Sequence, residues 1–580
     1  MNLKEKETWN AVDNRCELID SKFSRRDLIR MGLLTSTGYL VVKGGLSARA
    51  DNNKPQSPPT TPFIEPLPIM SIKQPVAALS PTPTIAPNTA AGEARTRSHQ
   101  AFTQFPPQKF YSLQDSAGLV SVSPDLPLQT IWGYDGTTPG PTFHAKYGEP
   151  ILVRHINLLP ADNGGFGLNS IATHLHNGHT PSESDGFPVD FEDSGQFYDH
   201  HYPNVLAGFS TDPSFIGAKN EAMSTLWYHD HRADFTAQNV YKGLAGFFLL
   251  FNDQDTGDET KGFRLPSGEF DVPMIFGDRV FDARTGLLFF DLFNLDGILG
   301  DKFLINGKIQ PFFQVAPRRY RFRWLNSGPS RFLQLFLTDL NNLGAKISFY
   351  QISTDGNLTP KPIQVTSMPL AVAERTDVIV DFTPFAGKSI YIENRLQQND
   401  GRGPNGTILP AGRGNQCLRF DVVLPSVADN SADPATITKF YDLPDLTATP
   451  VVTRTFRFDR GNGQWTINGK LFGNTPRLRV KRNTVEHWIL QNDSGGWQHP
   501  IHNHFEEFVI LNRNGQQPPA QEVGRKDVVR LGFGDRVRVR FNFRDFIGRY
   551  PMHCHNVVHE DHAMMLRWDI DDVGDRNNNP

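Results

Sequence analysis

Near the C-terminus, the run His553-Cys554-His555-Asn556-Val557-Val558-His559-Glu560-Asp561-His562-Ala563-Met564-Met565 packs a thiol, four imidazoles and two thioethers into one short stretch. On a strand, successive side chains point to opposite faces. A strand over residues 551–557 therefore turns Cys554 one way and His553 and His555 the other, so that one segment touches two metal centres. On the Cys554 side, His559 and Met564 follow. A thiolate, an imidazole and a thioether, completed by a second histidine, are the donors of a blue-copper electron-transfer site.

The partners for the remaining imidazoles come from three more His-x-His pairs: His174-Leu175-His176, His229-Asp230-His231 and His502-Asn503-His504. On a strand, both histidines of such a pair project from one face. Four pairs supply eight imidazoles, leaving His499 and His559 to join Cys554 and Met564. The other histidines read as ordinary positions: His99 in a spacer, His144, His155 and His487 on strands, His179, His200, His201 and His562 in loops. No histidine occurs between His231 and His487. The middle of the chain therefore contributes no imidazole, and the two outer parts must build the sites between them.

The elements that position these residues show as an internal repeat. Trp132-Gly133-Tyr134-Asp135-Gly136, Phe303-Leu304-Ile305-Asn306-Gly307 and Trp465-Thr466-Ile467-Asn468-Gly469 each precede a period-two strand that ends in Asn157, Asn326 and Asn492, respectively. The spacing predicts three tandem β-sandwich domains, at 105–255, 256–430 and 431–580. A short helical turn is expected near Thr236 to Lys242.

Ahead of them, Ser24-Arg25-Arg26-Asp27-Leu28-Ile29-Arg30, an apolar run from Met31 to Val42 and Ala48-Arg49-Ala50 form a twin-arginine export leader over residues 1–50. The run is shorter than the ~20 residues of a membrane span. Export through the twin-arginine translocation machinery to the periplasm or the outside is expected, with no stable membrane insertion. Residues 51–104, rich in Pro, Thr, Ala and Ser, read as a flexible or partly extended spacer. The formal net charge is −4, and the part after the leader is more acidic still, which argues against nucleic acid as a partner. Of three cysteines, Cys16 lies in the leader and Cys417 reads as a buried strand residue. A metal-bound Cys554 then leaves no disulfide.

Taken together, the four histidine motifs resemble those of the three-domain multicopper oxidases over nearly all of the chain after the leader. Within that family the chain is most similar to bacterial laccases of the spore-coat type and to phenoxazinone synthase, sharing Ser184-Asp185-Gly186 after the first motif and His559-Glu560-Asp561 before Met564-Met565. The resemblance implies an all-β chain of three cupredoxin-like Greek-key β-sandwich domains and four copper ions. His499, Cys554, His559 and Met564 match the type 1 ligands. His174 and His502 match type 2, and His176, His229, His231, His504, His553 and His555 match the type 3 pair. The implied reaction is one-electron oxidation of phenolic or aminophenolic donors coupled to four-electron reduction of O2 to water. A metallo-oxidase acting on Mn(II), Fe(II) or Cu(I) is the alternative, although nine methionines without a Met-rich insertion weigh against Cu(I). A copper-free structural or partner-binding protein is a third reading. Glu560 and Asp185 match acidic residues near the cluster, either as proton relays or as carboxylates that orient histidines. His559 is expected on the substrate side, and Glu506 and Glu507 either join it there or face solvent from a strand. Asn503 departs from the apolar residue that many laccases carry inside the third motif.

Overall fold

Three two-residue turns frame the molecule. In the computed structural model, which describes residues 56–580 apart from 213, 215, 216 and 462, Asp135-Gly136, Asn306-Gly307 and Asn468-Gly469 all have positive φ, between 49° and 82°. Asn, Asp and Gly enter that region at least cost, which is why they occupy tight hairpin turns. The strand entering each turn (Gln129–Tyr134, Lys302–Ile305, Gln464–Ile467) pairs antiparallel with a long strand, Lys109–Val120, Asp271–Phe281 or Val452–Gly461. Each long strand in turn pairs in parallel with the strand that closes on asparagine, Ile151–Asn157, Arg319–Asn326 or Thr484–Asn492. The sequence repeat is therefore a repeated three-strand arrangement.

The closing asparagine has a reason. Asn157 Nδ2 donates to the carbonyls of Asn169 and Glu192, Asn326 Nδ2 to Arg331 and Leu370, and Asn492 Nδ2 to Trp497 and Gly532. In each case Oδ1 accepts a backbone N–H two residues on. One amide thus satisfies three backbone groups that a strand leaving its sheet would otherwise strand in the interior.

Six main sheets pair into three sandwiches with four- and four-stranded, eight- and five-stranded, and six- and five-stranded layers. Each sandwich closes over its own core, centred on Tyr134 and Phe143 in the first, Trp324 and Phe420 in the second, and Trp488 and Trp568 in the third. Cys417 is buried in the second core on strand Asn415–Val422. The expected helical turn is Thr236–Lys242, and a second short helix is Val557–Asp561. Among the described residues, no helix is long and apolar enough to cross a membrane. The proposed leader lies outside the described residues.

The described part of the spacer read as flexible or partly extended, residues 56–104, is an extended strap bonded to the sandwiches. Its prolines keep it extended, and several of its N–H groups find carbonyls of the sandwiches. Phe63 and Leu67 donate to Gln310 and Phe312 of the second sandwich, and Lys73, Val76 and Ala94 to Thr142, Phe110 and Phe197 of the first. Gln100 Nε2 donates to Ile547 O of the third, whose core Ala101 joins. Arg95 is fully buried, donating to Glu93 at 2.7 Å and to the carbonyls of Ile85 and Arg97. Composition alone cannot reveal such anchoring, because the partners belong to distant edges.

Candidate metal centre

Cys554 is the last residue of strand Gly548–Cys554, which pairs with strand His499–Asn503 so that Ile501 faces Cys554 and His502 faces His553. The strand ends there rather than running on to Val557, because Asn556 caps the helix Val557–Asp561 with its side-chain oxygen. That helix brings His559 back towards the strand. Cys554 Sγ lies 3.4 Å from His499 Nδ1 and 3.6 Å from His559 Nδ1, and the two nitrogens are 3.1 Å apart. A point central to that triangle is about 2 Å from each donor, the length of a metal–nitrogen or metal–sulfur bond. The outer nitrogens are held, His499 Nε2 by Ser494 Oγ at 2.9 Å and His559 Nε2 by Asp296 O at 3.1 Å. Met564 is fully buried and tied in by backbone bonds to both neighbours, its N–H to His559 O and its carbonyl to Cys554 N–H. Burial pushes the Cys554 thiol well above its ordinary range, so the sulfur releases its proton only when a cation is held against it.

The eight paired histidines converge on the opposite side of the same strand. Strands Thr173–His176 and Thr225–Asp230 run antiparallel with His174 opposite His229. They meet the His502 and His553 strands of the third sandwich. His504 Nε2 lies 3.1 Å from His231 Nε2 and 3.2 Å from His553 Nε2. His176 Nδ1 lies 3.4 Å from His229 Nε2, and the His555 ring stands 5.2 and 5.3 Å from these two. His174 stacks on His504, and His176 on His502, each at 3.7 Å. All eight are buried. Burial lowers His174, His176, His502, His504 and His555 well below the usual imidazole range, which keeps the rings in the neutral, metal-binding form.

Carboxylates and carbonyls fix the rings from outside. Glu560 spans two of them, Oε1 at 3.0 Å from His231 Nδ1 and Oε2 at 2.9 Å from His553 Nδ1. Burial opposes its ionisation, but those two rings hold its carboxyl well below the ordinary range. Asp185 Oδ2 accepts from His504 Nδ1 at 2.7 Å, and Asp185 O from His174 Nδ1 at 2.5 Å. Burial drives the Asp185 carboxyl well above its usual value. His229 Nδ1 and His502 Nδ1 donate to the carbonyls of Asp230 and Asp527. Inward-facing His174 Nε2, His502 Nε2 and both His555 nitrogens have no hydrogen-bond partner. Buried nitrogens of that kind cost about 1–3 kcal/mol each unless something accepts their lone pairs, and a set of metal ions does so. The donor set fits.

Several expectations need correcting. Glu506 and Glu507, expected either beside the substrate or facing solvent from a strand, do not face solvent: their side chains are 1% and 8% exposed and paired with arginines. Glu506 is buried against Arg544, accepting from its backbone N–H at 2.8 Å and its guanidinium at 2.9 Å, and burial pushes its carboxyl up to about 7. Glu507 accepts from Asn177 and Asn357 and pairs with Arg525 at 3.3 Å. Arginines more than 15 residues away claim both. His559, expected on the substrate side, lies fully buried beneath Trp465, the ring centroids 3.9 Å apart and the planes tilted by 34°. His200 and His201 are not loop residues but part of strand Phe197–Tyr202. Sequence reading missed Asp296 and Asp527, whose roles are set by contacts across the fold, and Ser494, which reaches His499 five residues on. Asp527 lies 3.1 Å from His176 Nε2.

The profile described as Multicopper oxidase matches residues 446–573. Along its length the chain is 33% identical to a bilirubin oxidase of Albifimbria verrucaria over 537 residues, covering 90% of this chain and 83% of that protein. The chain belongs to the multicopper oxidase family. It is also 32% identical to a laccase of Bacillus subtilis, covering 77% of this chain and 91% of that one. Among solved structures, a laccase from Pediococcus acidilactici superposes with a TM-score of 0.69 at 22% identity, covering 89% of this chain and 96% of that one, a likeness of fold. This multicopper oxidase is thus a laccase-like, copper-dependent oxidoreductase of cupredoxin-like sandwiches that uses O2 and a reducing substrate.

Proposed function

We propose that this multicopper oxidase couples one-electron oxidation of phenolic or aminophenolic donors to the four-electron reduction of O2 to water. One copper is assigned to His499, Cys554, His559 and Met564, one to His174 and His502, and two to His176, His229, His231, His504, His553 and His555. When bound, copper supplies one-electron exchange at the first site and O2 reduction at the cluster. The three domains are assigned to 105–255, 256–430 and 431–580.

The chain contributes order and connection. Cys554 is bonded directly to His553 and His555, so one backbone segment joins the two donor sets. Asp185 accepts from the His504 ring N–H and Glu560 pairs with the His231 and His553 rings at Nδ1, which sets which nitrogen faces inward; the two Glu560 contacts of 2.9 and 3.0 Å favour this positioning role over free proton exchange. Asp185, whose carboxyl burial keeps above its usual range, remains the candidate to hold a proton at its carboxyl oxygen.

The observation that carries the aromatic reading is the covering of His559. Trp465 packs on it with ring centroids 3.9 Å apart and planes tilted by 34°, Trp497 lies 5.4 Å from Trp465, and the Arg402 and Arg460 guanidinium groups sit over Trp497 at 4.7 and 4.6 Å. A flat donor can lie against the partly exposed Trp497, which packs on Trp465 and through it on the buried His559. Mn(II) favours carboxylate oxygens, and Asp296, whose carbonyl touches His559, already has Arg460 at 2.5 Å and Arg402 at 3.6 Å from its carboxylate. Relatives named bilirubin oxidase and laccase point the same way. Oxygen uptake by the copper-loaded enzyme tests this. Turnover is expected with 2,6-dimethoxyphenol, whereas turnover with Mn(II) alone, phenols being inert, would replace the aromatic reading with a metallo-oxidase.

The leader at 1–50 supports export by the twin-arginine machinery to the periplasm or beyond. Replacing Arg25 and Arg26 together by lysine is expected to leave uncleaved precursor inside the cell, and normal export of that variant would refute the assignment.

A further inference from the structure

The middle sandwich carries no histidine, yet it reaches the wall of the histidine cluster. Arg375 opens strand Arg375–Asp381 and is fully buried. Its two terminal nitrogens grip Asp527 of the third sandwich, at 2.9 Å to Oδ1 and 2.6 Å to Oδ2. The same nitrogens also donate to the carbonyls of Ala373 and Asp355, at 2.9 and 2.7 Å. Asp355, in the turn before Asn357–Val365, accepts from the backbone N–H of Asp527 and Val528 through Oδ2, at 3.2 and 3.1 Å. Asp527 is therefore fixed from both its main chain and its side chain by the sandwich that holds no ligand.

What Asp527 does with that fixity is specific. Its Oδ1 lies 3.1 Å from His176 Nε2, and its carbonyl accepts from His502 Nδ1 at 2.9 Å. These rings, one from the first sandwich and one from the third, stack at 3.7 Å with 15° between their planes. His174, His229, His231, His502, His504 and His553 are all held at Nδ1 and turn Nε2 inward. His176 is reversed: Nε2 is held, and Nδ1 faces His229 Nε2.

We propose that Asp527, clamped by Arg375, is a positioning residue of the cluster that fixes His176 in its reversed orientation and seats it against His502. The inference rests on the assignment of copper to the eight imidazoles. The middle domain thereby contributes to occupancy of the cluster without supplying a ligand. A bidentate guanidinium–carboxylate pair holds both position and plane, which a lysine in its place cannot do.

The test is to compare copper-loaded wild type with Asp527→Asn, Asp527→Leu and Arg375→Lys. The blue type 1 absorption, which depends on residues elsewhere, is expected to persist and reports that each variant is folded. The type 2 hyperfine pattern in electron paramagnetic resonance is expected to change, the near-ultraviolet type 3 absorption to fall and kcat to drop about 10–100-fold, with the donor KM unchanged. Arg375→Lys is expected to fall between wild type and Asp527→Leu. Variants whose type 2 and type 3 signals and kcat match a normal wild type would overturn this inference alone. A wild type with a blue site but no type 2 or type 3 signal would overturn the copper assignment and the inference with it. Should Asp527→Leu lose the blue band, the two conservative variants decide the outcome by the same signals.

Discussion

Replacing Cys554 by serine is expected to abolish the blue colour and to reduce donor oxidation to background, a fall of about a thousandfold or more, equivalent to roughly 4 kcal/mol of activation barrier. Sulfur at this position is one vertex of a triangle with edges of 3.1–3.6 Å. A serine oxygen is a harder donor and gives up its proton far less readily, so the site loses the soft ligand that makes a blue-copper centre. The substitution is nearly isosteric inside the third core, and the flanking histidines keep their backbone bonds, His555 N–H to Pro500 O at 2.6 Å among them. Cluster copper is therefore expected to remain bound. Absorption, resonance and oxygen uptake on the same sample check this. Full activity in a colourless Cys554→Ser protein would show that electrons do not pass through this residue.

Removal of copper by a chelator at mildly acidic pH should lower the melting temperature by roughly 10 °C, in addition to abolishing activity. A ligand that binds only the folded state at a thousand times its dissociation constant stabilises that state by about 4 kcal/mol, and each kcal/mol moves the transition of a domain by about 2–4 °C. The first and third sandwiches share the cluster: His504 of one meets His231 of the other at 3.1 Å. Without a cation, inward nitrogens such as His174 Nε2 and His502 Nε2 remain buried and unpaired. Calorimetry of the depleted and reloaded protein, with copper content measured on both, tests the claim. Equal melting temperatures at zero and full copper would contradict a shared site.

Local chemistry made much of this fold legible. Asx-Gly turns and closing asparagines announce their own geometry, since positive φ and unpaired strand-end amides restrict residue choice wherever they occur. The His-x-His pairs were readable for the same reason, because strand periodicity puts both rings on one face. What stayed hidden depends on partners far apart in sequence. Arg375 and Asp527 are 152 residues apart, and nothing in either neighbourhood distinguishes this pair from a solvated one. Glu506 and Glu507 looked like a pair available to a donor, yet Arg544 and Arg525 bury them. The strap at 56–104 looked featureless because its order comes from the edges it crosses. The end of the copper strand at Cys554 was set by the asparagine cap of the next helix, a competing local signal two residues on.

Two donor sets joined through Cys554 are expected to collect four electrons from an aromatic donor for each O2. Donor oxidised per O2 consumed, followed with 2,6-dimethoxyphenol and an oxygen electrode with catalase added midway, measures it most directly. Four one-electron oxidations per O2 are expected, with no oxygen returned by catalase. Two oxidations per O2, with oxygen released on addition of catalase, would mean that peroxide leaves the site and would contradict it.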